Sequence, residues 1–462
     1  MKYISTRNSK EYYDFKSVFL DSLAYDGGLF LPVNWPQITE DILENFSEMN
    51  YRNLAFNIIE KFVDESIPKS ELKKIINDSY ACFSDLDIAP LKSLDNNNSI
   101  LELFHGPTFS FKDFAMQVIA RLFEYYSLKE KKVLTLIVAT SGDTGAAAAA
   151  AINGRKGLRL FVLHPLSKIS EIQRRQMTTI SGKNIYNFAV EGTFDDCQRI
   201  VKSIFSDRNF CYQYNVSGLN SINWARVMVQ TVYYFYSFLR KREFSNDINF
   251  IVPTGNFGDI YAGYVAFRMG LPIKKLIIAT NENDILDRFM RTGLYQPRKV
   301  IQTIAPSMDI QVASNFERLL FELLSHSGSA VKNHMDQLQQ KGSFEVGKDS
   351  LTLIKNIFSS HSVSQDKIME TIKKIYVNYK MLIDPHTAIG VAANFLHNSP
   401  DQNIILATAH YAKFPEVYRE IGYKFQKKEQ LESLLKKNEN FDIKKNNTEE
   451  IKRTIKKVIA VY

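Results

Sequence analysis

One lysine, Lys112, lies among four phenylalanines in the segment Phe104-His105-Gly106-Pro107-Thr108-Phe109-Ser110-Phe111-Lys112-Asp113-Phe114. Apolar surroundings make the charged amine costly, which lowers its pKa and frees a neutral amine to act as nucleophile or base. Such an amine can form a Schiff base with an aldehyde cofactor. The plainer alternative is a lysine whose stem follows apolar surface until the ammonium reaches water.

A second segment, Ile251-Val252-Pro253-Thr254-Gly255-Asn256-Phe257-Gly258-Asp259, has the pattern of a strand that ends in a glycine turn and opens a helix. Two glycines let successive N–H groups converge, and a helix start adds partial positive charge, so a phosphate fits there. The spacing is neither GxGxxG nor a P-loop, which disfavours dinucleotides and nucleoside triphosphates. A third segment, Thr140-Ser141-Gly142-Asp143-Thr144-Gly145, follows an apolar run and is rich in hydroxyl and N–H donors suited to a carboxylate. Either turn, taken alone, is also compatible with an ordinary strand-to-helix connection. An amine nucleophile, a phosphate cradle without a nucleotide signature and a carboxylate cradle together suit pyridoxal phosphate acting on an amino acid.

The elements that must position these loops are legible as patterns. Val133 to Ala139, Leu158 to Leu163, Ile185 to Val190, Ile248 to Val252, Leu276 to Ala279 and Ile404 to Ala407 are apolar runs, each followed by a loop and a helical segment. Buried parallel strands with covering helices read this way, which predicts an α/β body with open, mostly parallel sheets and ligand-binding loops at the strands' carboxyl ends. Ala146 to Ala151 predicts a helix lying close to a sheet. Ahead of this body, Ile42 to Phe46, Tyr51 to Val63 and Ser70 to Phe83 show helical spacing, so the N-terminal lobe is predicted to be largely helical, with Asp95 to Ser99 as a connector. The expected division is an N-terminal lobe over 1–97, a two-lobed catalytic region over 98–423 and a basic helical tail over 424–462.

At 462 residues, 45% hydrophobic and 23% charged, the composition is globular. The tail from Lys424 carries 11 basic and 6 acidic residues, so it supplies +5 of the +8 net charge and leaves only +3 for the body, where no basic nucleic-acid groove is expected. Within it Ile451, Ile455, Val458 and Ile459 share one helical face and Lys452, Arg453, Lys456 and Lys457 another, predicting a docked helix with a solvated lysine face. The chain shows neither a bilayer-spanning run nor a signal-peptide pattern, so no membrane partner and a cytoplasmic location are expected. Cys82, Cys197 and Cys211 are too dispersed for a zinc site and are expected to be buried thiols, and no metal is expected.

These motifs closely resemble threonine synthase of the longer bacterial and fungal type, within the fold type II pyridoxal phosphate enzymes. The resemblance extends to Tyr3-Ile4-Ser5-Thr6-Arg7, Leu23 to Phe30, Ile301 to Ile310, Ser314-Asn315, Asp384-Pro385-His386-Thr387-Ala388 and Thr408 to Phe414, nearly the whole chain. It implies Lys112 as the Schiff-base lysine, Gly255, Asn256, Phe257, Gly258 and Asp259 around the cofactor phosphate, and Thr408 on the pyridine nitrogen, where a neutral hydroxyl leaves that nitrogen largely unprotonated. It also implies O-phospho-L-homoserine as substrate. Ser141, Gly142, Asp143 and Thr144 are then candidates for the substrate carboxylate, and Asn315, Arg318 and Lys413 for the leaving phosphate. Asp259 is expected to cap helix N–H groups. Asn8 and Tyr411 depart from the family pattern, which more often has glycine and proline there. A phospho-lyase giving 2-oxobutyrate, or a non-catalytic amino-acid-binding relative, are the alternative readings.

Overall fold

The computed structural model describes residues 1–242, 247–424 and 428–460. Residues 243–246 of the predicted catalytic region, and 425–427 and 461–462 of the predicted tail, lie outside the described residues. Two compact units are present: Met1–Phe19, Leu23–Phe111 and Ser221–Phe425 make the first, and Leu20–Ser22, Lys112–Asn220 and Gln426–Tyr462 make the second.

The first unit is built on a six-stranded sheet in the order Phe358–Ser362, Ile273–Thr280, Ile248–Pro253, Gln402–Ala407, Asn98–Glu102, Leu91–Ser93. All pairings are parallel except the last. Alternate side chains of each strand point to opposite faces, so the continuous apolar runs supply two cores. Ile251, Ile277 and Ile405 join Ile389, Ala392 and Ala393 of helix Pro385–His397 in one buried cluster. On the other face Phe250 meets Tyr234 of helix Trp224–Lys241, and a Cβ on Gly263 of helix Gly258–Arg268 would sit 2.7 Å from Tyr234 and 2.8 Å from Leu276.

The N-terminal helices form over Glu40–Ser47, Tyr51–Val63 and Lys69–Tyr80, on the predicted segments. Asn50 caps the second of them by accepting from the Asn53 N–H, and Tyr51 packs edge-on against Tyr236. Strand Tyr3–Ser5 pairs antiparallel with Phe30–Pro32, and just beyond it Arg7 forms a bidentate pair with Glu317 at 2.9 and 2.8 Å. The Asp95 to Ser99 connector is shorter than expected. Asp95 accepts from the Asn97 and Asn98 N–H groups and so closes a tight turn, and Asn98 and Ser99 already belong to a strand.

The second unit is built on a five-stranded sheet, all its pairings parallel, in the order Asp442–Lys444, Ile185–Val190, Leu158–Pro165, Leu134–Ala139, Val216–Gly218. Helix Asp143–Ile152 buries Ala146 to Ala149 and Ala151, leaving Ala150 half-buried, and a Cβ on Gly145 would meet Met177 at 2.4 Å and Thr140 at 2.5 Å, so the run of small residues serves close packing. The terminal helix Thr448–Ala460 docks through Ile451 and Ile455 onto Ile200, Val201 and Ile204.

Three expectations need correction. Lys452 is not on the solvated face, because its ammonium is buried against Asp207 at 2.7 Å and Glu449 at 3.1 Å. Cys82 is exposed in the turn after helix Lys69–Tyr80 and Cys211 is half-buried in the short helix Arg208–Gln213, whose buried residue is Phe210, so only Cys197 is a buried thiol. Strands Phe358–Ser362, Val216–Gly218 and Asp442–Lys444 escaped prediction because they are short or polar, and all three lie toward or at a sheet edge. Among the described residues no helix is long and apolar enough to cross a membrane.

Candidate active site

In the first unit the phosphate loop follows strand Ile248–Pro253. Thr254 ends the strand by donating its N–H to Ala279 O at 2.8 Å and its hydroxyl to Val252 O at 2.6 Å. Phe257 then takes the left-handed conformation, φ 64°, at the head of helix Gly258–Arg268. Left-handed backbone costs a phenylalanine about 1 kcal/mol, and burial of its ring against Phe316 at 5.4 Å and Phe358 at 5.9 Å offsets that cost. The alternation of handedness turns successive N–H groups to one side, the geometry that binds anions. Gly255 is glycine for close approach, since a Cβ there would lie 2.7 Å from Ser307 O. Asn256 O accepts both the N–H and the side-chain amide of Asn315, each at 3.1 Å, which fixes the loop from the far side.

Asp259 does not cap the helix as expected. Its carboxylate accepts the hydroxyls of Tyr233 at 2.5 Å and Tyr234 at 3.0 Å, all three groups being buried. Burial, and then the Asp259 charge, hold both phenols well above their usual range, so they remain neutral donors.

Thr408 follows strand Gln402–Ala407, and its carbonyl accepts the Phe111 N–H at 2.9 Å, while His410 N–H donates to Phe109 O at 3.1 Å. These bonds stitch the 104–111 segment along residues 407–410 and hold the residue preceding Lys112 at a defined place. Lys413 is wholly buried and donates to Thr108 O at 2.9 Å, so it pins this same segment. Arg318 is likewise committed, to Phe30 O at 2.8 Å, to Ile222 O at 2.6 Å and to the Asn315 side chain. Asn315, Arg318 and Lys413 thus secure peptide carbonyls around the loops. Tyr411 opens the short turn Tyr411–Lys413, which the His410 ring caps by accepting the Ala412 N–H, so the loop forms without the proline usual there.

One residue of this unit escaped the sequence reading. Arg226 lies on helix Trp224–Lys241, is 3% exposed, and has no hydrogen-bond partner for its Nε and Nη1 among the described residues. Burial brings its pKa down to about 10, opposed by electrostatic interaction with neighbouring Tyr233 and Asp259, so it stays cationic at neutral pH. A buried guanidinium with orphan N–H groups is expensive unless an anion completes it. The signal available in the sequence was an arginine inside an otherwise apolar helical run.

In the second unit Lys112 opens helix Lys112–Glu130, is 12% exposed, and places its ammonium 3.4 Å from Asp143 Oδ2. A carboxylate therefore stands where apolar surroundings were expected. The other oxygen of Asp143 accepts from Gln173 at 2.8 Å, and Gln173 in turn accepts from Ser170 at 3.0 Å. Gln173 was also missed; its signal was the Ser-x-x-Gln spacing of a helix start, which Ser170 confirms by accepting the Gln173 N–H. The N–H groups of Gly142 and Gly145 are spent on Thr140 Oγ1 at 2.9 and 2.8 Å. A carboxylate cradle here would rest on half-buried Ser141 and Thr144 at the start of helix Asp143–Ile152, with Asp143 itself suited to a cation.

Comparison with known proteins follows the same lines. Residues 2–80 match the family model described as threonine synthase N terminus, 100–333 that of pyridoxal-phosphate dependent enzymes, and 387–455 that of the threonine synthase C-terminal region. The chain is 45% identical to threonine synthase of Pseudomonas aeruginosa over 91% of its length and 90% of that protein. With the Saccharomyces cerevisiae threonine synthase it shares 43% identity over 99% and 98%. Among solved structures, pyridoxal phosphate-bound threonine synthase from Brucella melitensis superposes with a TM-score of 0.94 at 42% identity, covering 99% of both chains. The Escherichia coli threonine synthase gives 0.85 at 27% identity, covering 99% of this chain and 100% of that one.

Proposed function

We propose, from the premise that the chain belongs to the threonine synthase family, that it converts O-phospho-L-homoserine and water into L-threonine and inorganic phosphate. It is a pyridoxal phosphate-dependent lyase of fold type II. The observation that carries the proposal is Arg226, a buried cation with unsatisfied donors in a protein whose family acts through elimination of an anion. A phosphate monoester would supply the missing acceptors.

The residues fit the cofactor. The converging N–H groups of Phe257 and Gly258 and the space kept by Gly255 suit its phosphate, Thr408 its pyridine nitrogen, and Lys112 its aldehyde. When bound, the cofactor supplies an electron sink for negative charge developing beside the substrate amine. Lys112 Nζ then acts as the base that takes the proton from Cα and returns protons to the carbon skeleton. Asp143 steadies the ammonium form of Lys112 between transfers, and Gln173 keeps the carboxylate aimed. Arg226 receives the phosphate as it leaves Cγ, where a fixed cation stabilises the developing charge without reorganisation. Ser141 and Thr144 hold the substrate carboxylate, and water adds at Cβ. In this proposal the partner is a free small molecule and the protein works in the cytoplasm.

Incubation of the purified holoenzyme with O-phospho-L-homoserine tests the proposal directly. Threonine and phosphate in near-equal amounts are expected; phosphate accompanied mainly by 2-oxobutyrate and ammonia would replace the synthase reading with a lyase.

A further inference from the structure

The Asp384-Pro385-His386-Thr387 motif lies at the start of a buried helix beside the first unit's sheet. Asp384 is the N-cap of helix Pro385–His397, fully buried, and its Oδ1 accepts the Thr387 N–H at 3.1 Å and the Thr387 hydroxyl. Its Oδ2 accepts the His386 N–H at 3.0 Å and lies 2.7 Å from His386 Nδ1. An ionised carboxylate can only accept, so Nδ1 must carry the ring proton. The opposite nitrogen, Nε2, is 3.3 Å from the backbone N of Ser307. That N–H can only donate, so Nε2 must be unprotonated, and the two partners assign His386 the neutral Nδ1–H tautomer.

Ser307 leads to the phosphate loop. It lies in the turn Pro306–Met308, and its carbonyl oxygen is the atom nearest a Cβ built on Gly255, at 2.7 Å, followed by Ile310 Cδ1 at 3.1 Å and Met308 Cα at 3.4 Å. The far end of the Pro306–Met308 turn is tied by Asp309, which accepts the Thr303 N–H at 2.9 Å and the Asn281 amide at 2.8 Å. His386 is the tie at the near end, and its ring also packs on Phe414 at 5.2 Å.

We propose that His386 is a positioning residue for the phosphate-binding loop: through the Asp384–His386–Ser307 relay it holds the Pro306–Met308 turn against Gly255, so that the loop keeps the shape that receives a phosphate monoester. The inference rests on the proposed function only in taking that phosphate to belong to the cofactor.

The test compares the affinity of the protein for pyridoxal 5′-phosphate and for pyridoxal, which lacks the phosphate, each followed by the visible absorbance of the bound aldehyde. His386→Ala removes the acceptor for Ser307. Asp384→Asn keeps a capping oxygen but presents an N–H to Nδ1, driving the ring proton to Nε2 and setting two donors face to face. Both variants should weaken pyridoxal 5′-phosphate about tenfold, the scale of one lost positioning hydrogen bond, with pyridoxal unchanged. His386→Gln, whose amide oxygen reaches the place of Nε2, should restore wild-type affinity. Unchanged affinity for the phosphorylated aldehyde, or equal losses for both aldehydes, would overturn the relay. Should His386→Ala fail to fold, the contrast between Asp384→Asn and His386→Gln decides the matter by the same criteria. Because the readout is affinity, a wild-type protein that bound the cofactor but made no threonine would overturn the proposed function and leave this result standing.

Discussion

The Lys112 ammonium stands 3.4 Å from Asp143 Oδ2, while Gln173 holds the other oxygen of that carboxylate at the shorter distance of 2.8 Å. The carboxylate is thus anchored by the amide and only loosely engaged by the lysine, which suits an amine that must change partners. Lys112→Ala should abolish threonine formation and the visible absorbance of bound cofactor. Asp143 keeps Gln173 as a partner, so the variant should still unfold cooperatively within about 2 kcal/mol of wild type. Product assays, spectra and denaturant melts check the three parts, and residual threonine formation near the wild-type rate would remove Lys112 from the chemistry.

Gly255 and Gly258 should respond unequally to substitution. A methyl at Gly255 meets the Ser307 backbone oxygen at 2.7 Å, whereas one at Gly258 meets only the Asn315 side-chain nitrogen at 3.2 Å. Backbone cannot yield without moving the loop, and a side chain can. Gly255→Ala should therefore lose cofactor on dialysis and Gly258→Ala retain most of it; the reverse order would show that Asn315 is the stiffer neighbour.

Arg226→Met tests whether the orphan N–H groups are kept for substrate. Loss of a buried charge-assisted contact should cut kcat/KM for O-phospho-L-homoserine by about 100-fold or more. Removing a buried cation of similar volume should leave the melting temperature unchanged or raise it. A variant that lost stability and kept its kcat/KM would place Arg226 in the scaffold alone.

Acid should destabilise the fold through buried His164 and half-buried His361 and His397. Burial lowers His164, His361 and His397 below the ordinary value of 6.5, with the neighbouring His361 adding to the effect at His397. The unfolded chain then takes up protons before the folded one does. Stability is full above pH 6.5 and is lost as pH falls from there toward the lowered folded values. Melting temperatures recorded from pH 7.5 to 5 should fall, and His164→Phe, which cannot take up that proton, should fall less. A parallel decline in both proteins would assign the acid loss to other groups.

Much of this protein was written in local pattern. Apolar runs marked the central strands, glycines at their carboxyl ends marked the loops, and Lys112 stood out by its neighbours, because periodicity and turn chemistry act over a few residues. The polar edge strand Phe358–Ser362 carried no such pattern. Partnerships across the chain were settled only by folding. Asp259 meets Tyr233 and Tyr234, about seven helical turns of sequence away, instead of capping its own helix. Arg318 and Lys413, chosen for their charge, turn out to be bound to carbonyls contributed by residues 30, 222 and 108. Arg226, which no motif announced, is a buried cation with donors to spare among the described residues. A residue type states which bonds a side chain can make, but which partner reaches it first depends on how the chain closes, and that is decided by packing of the whole unit.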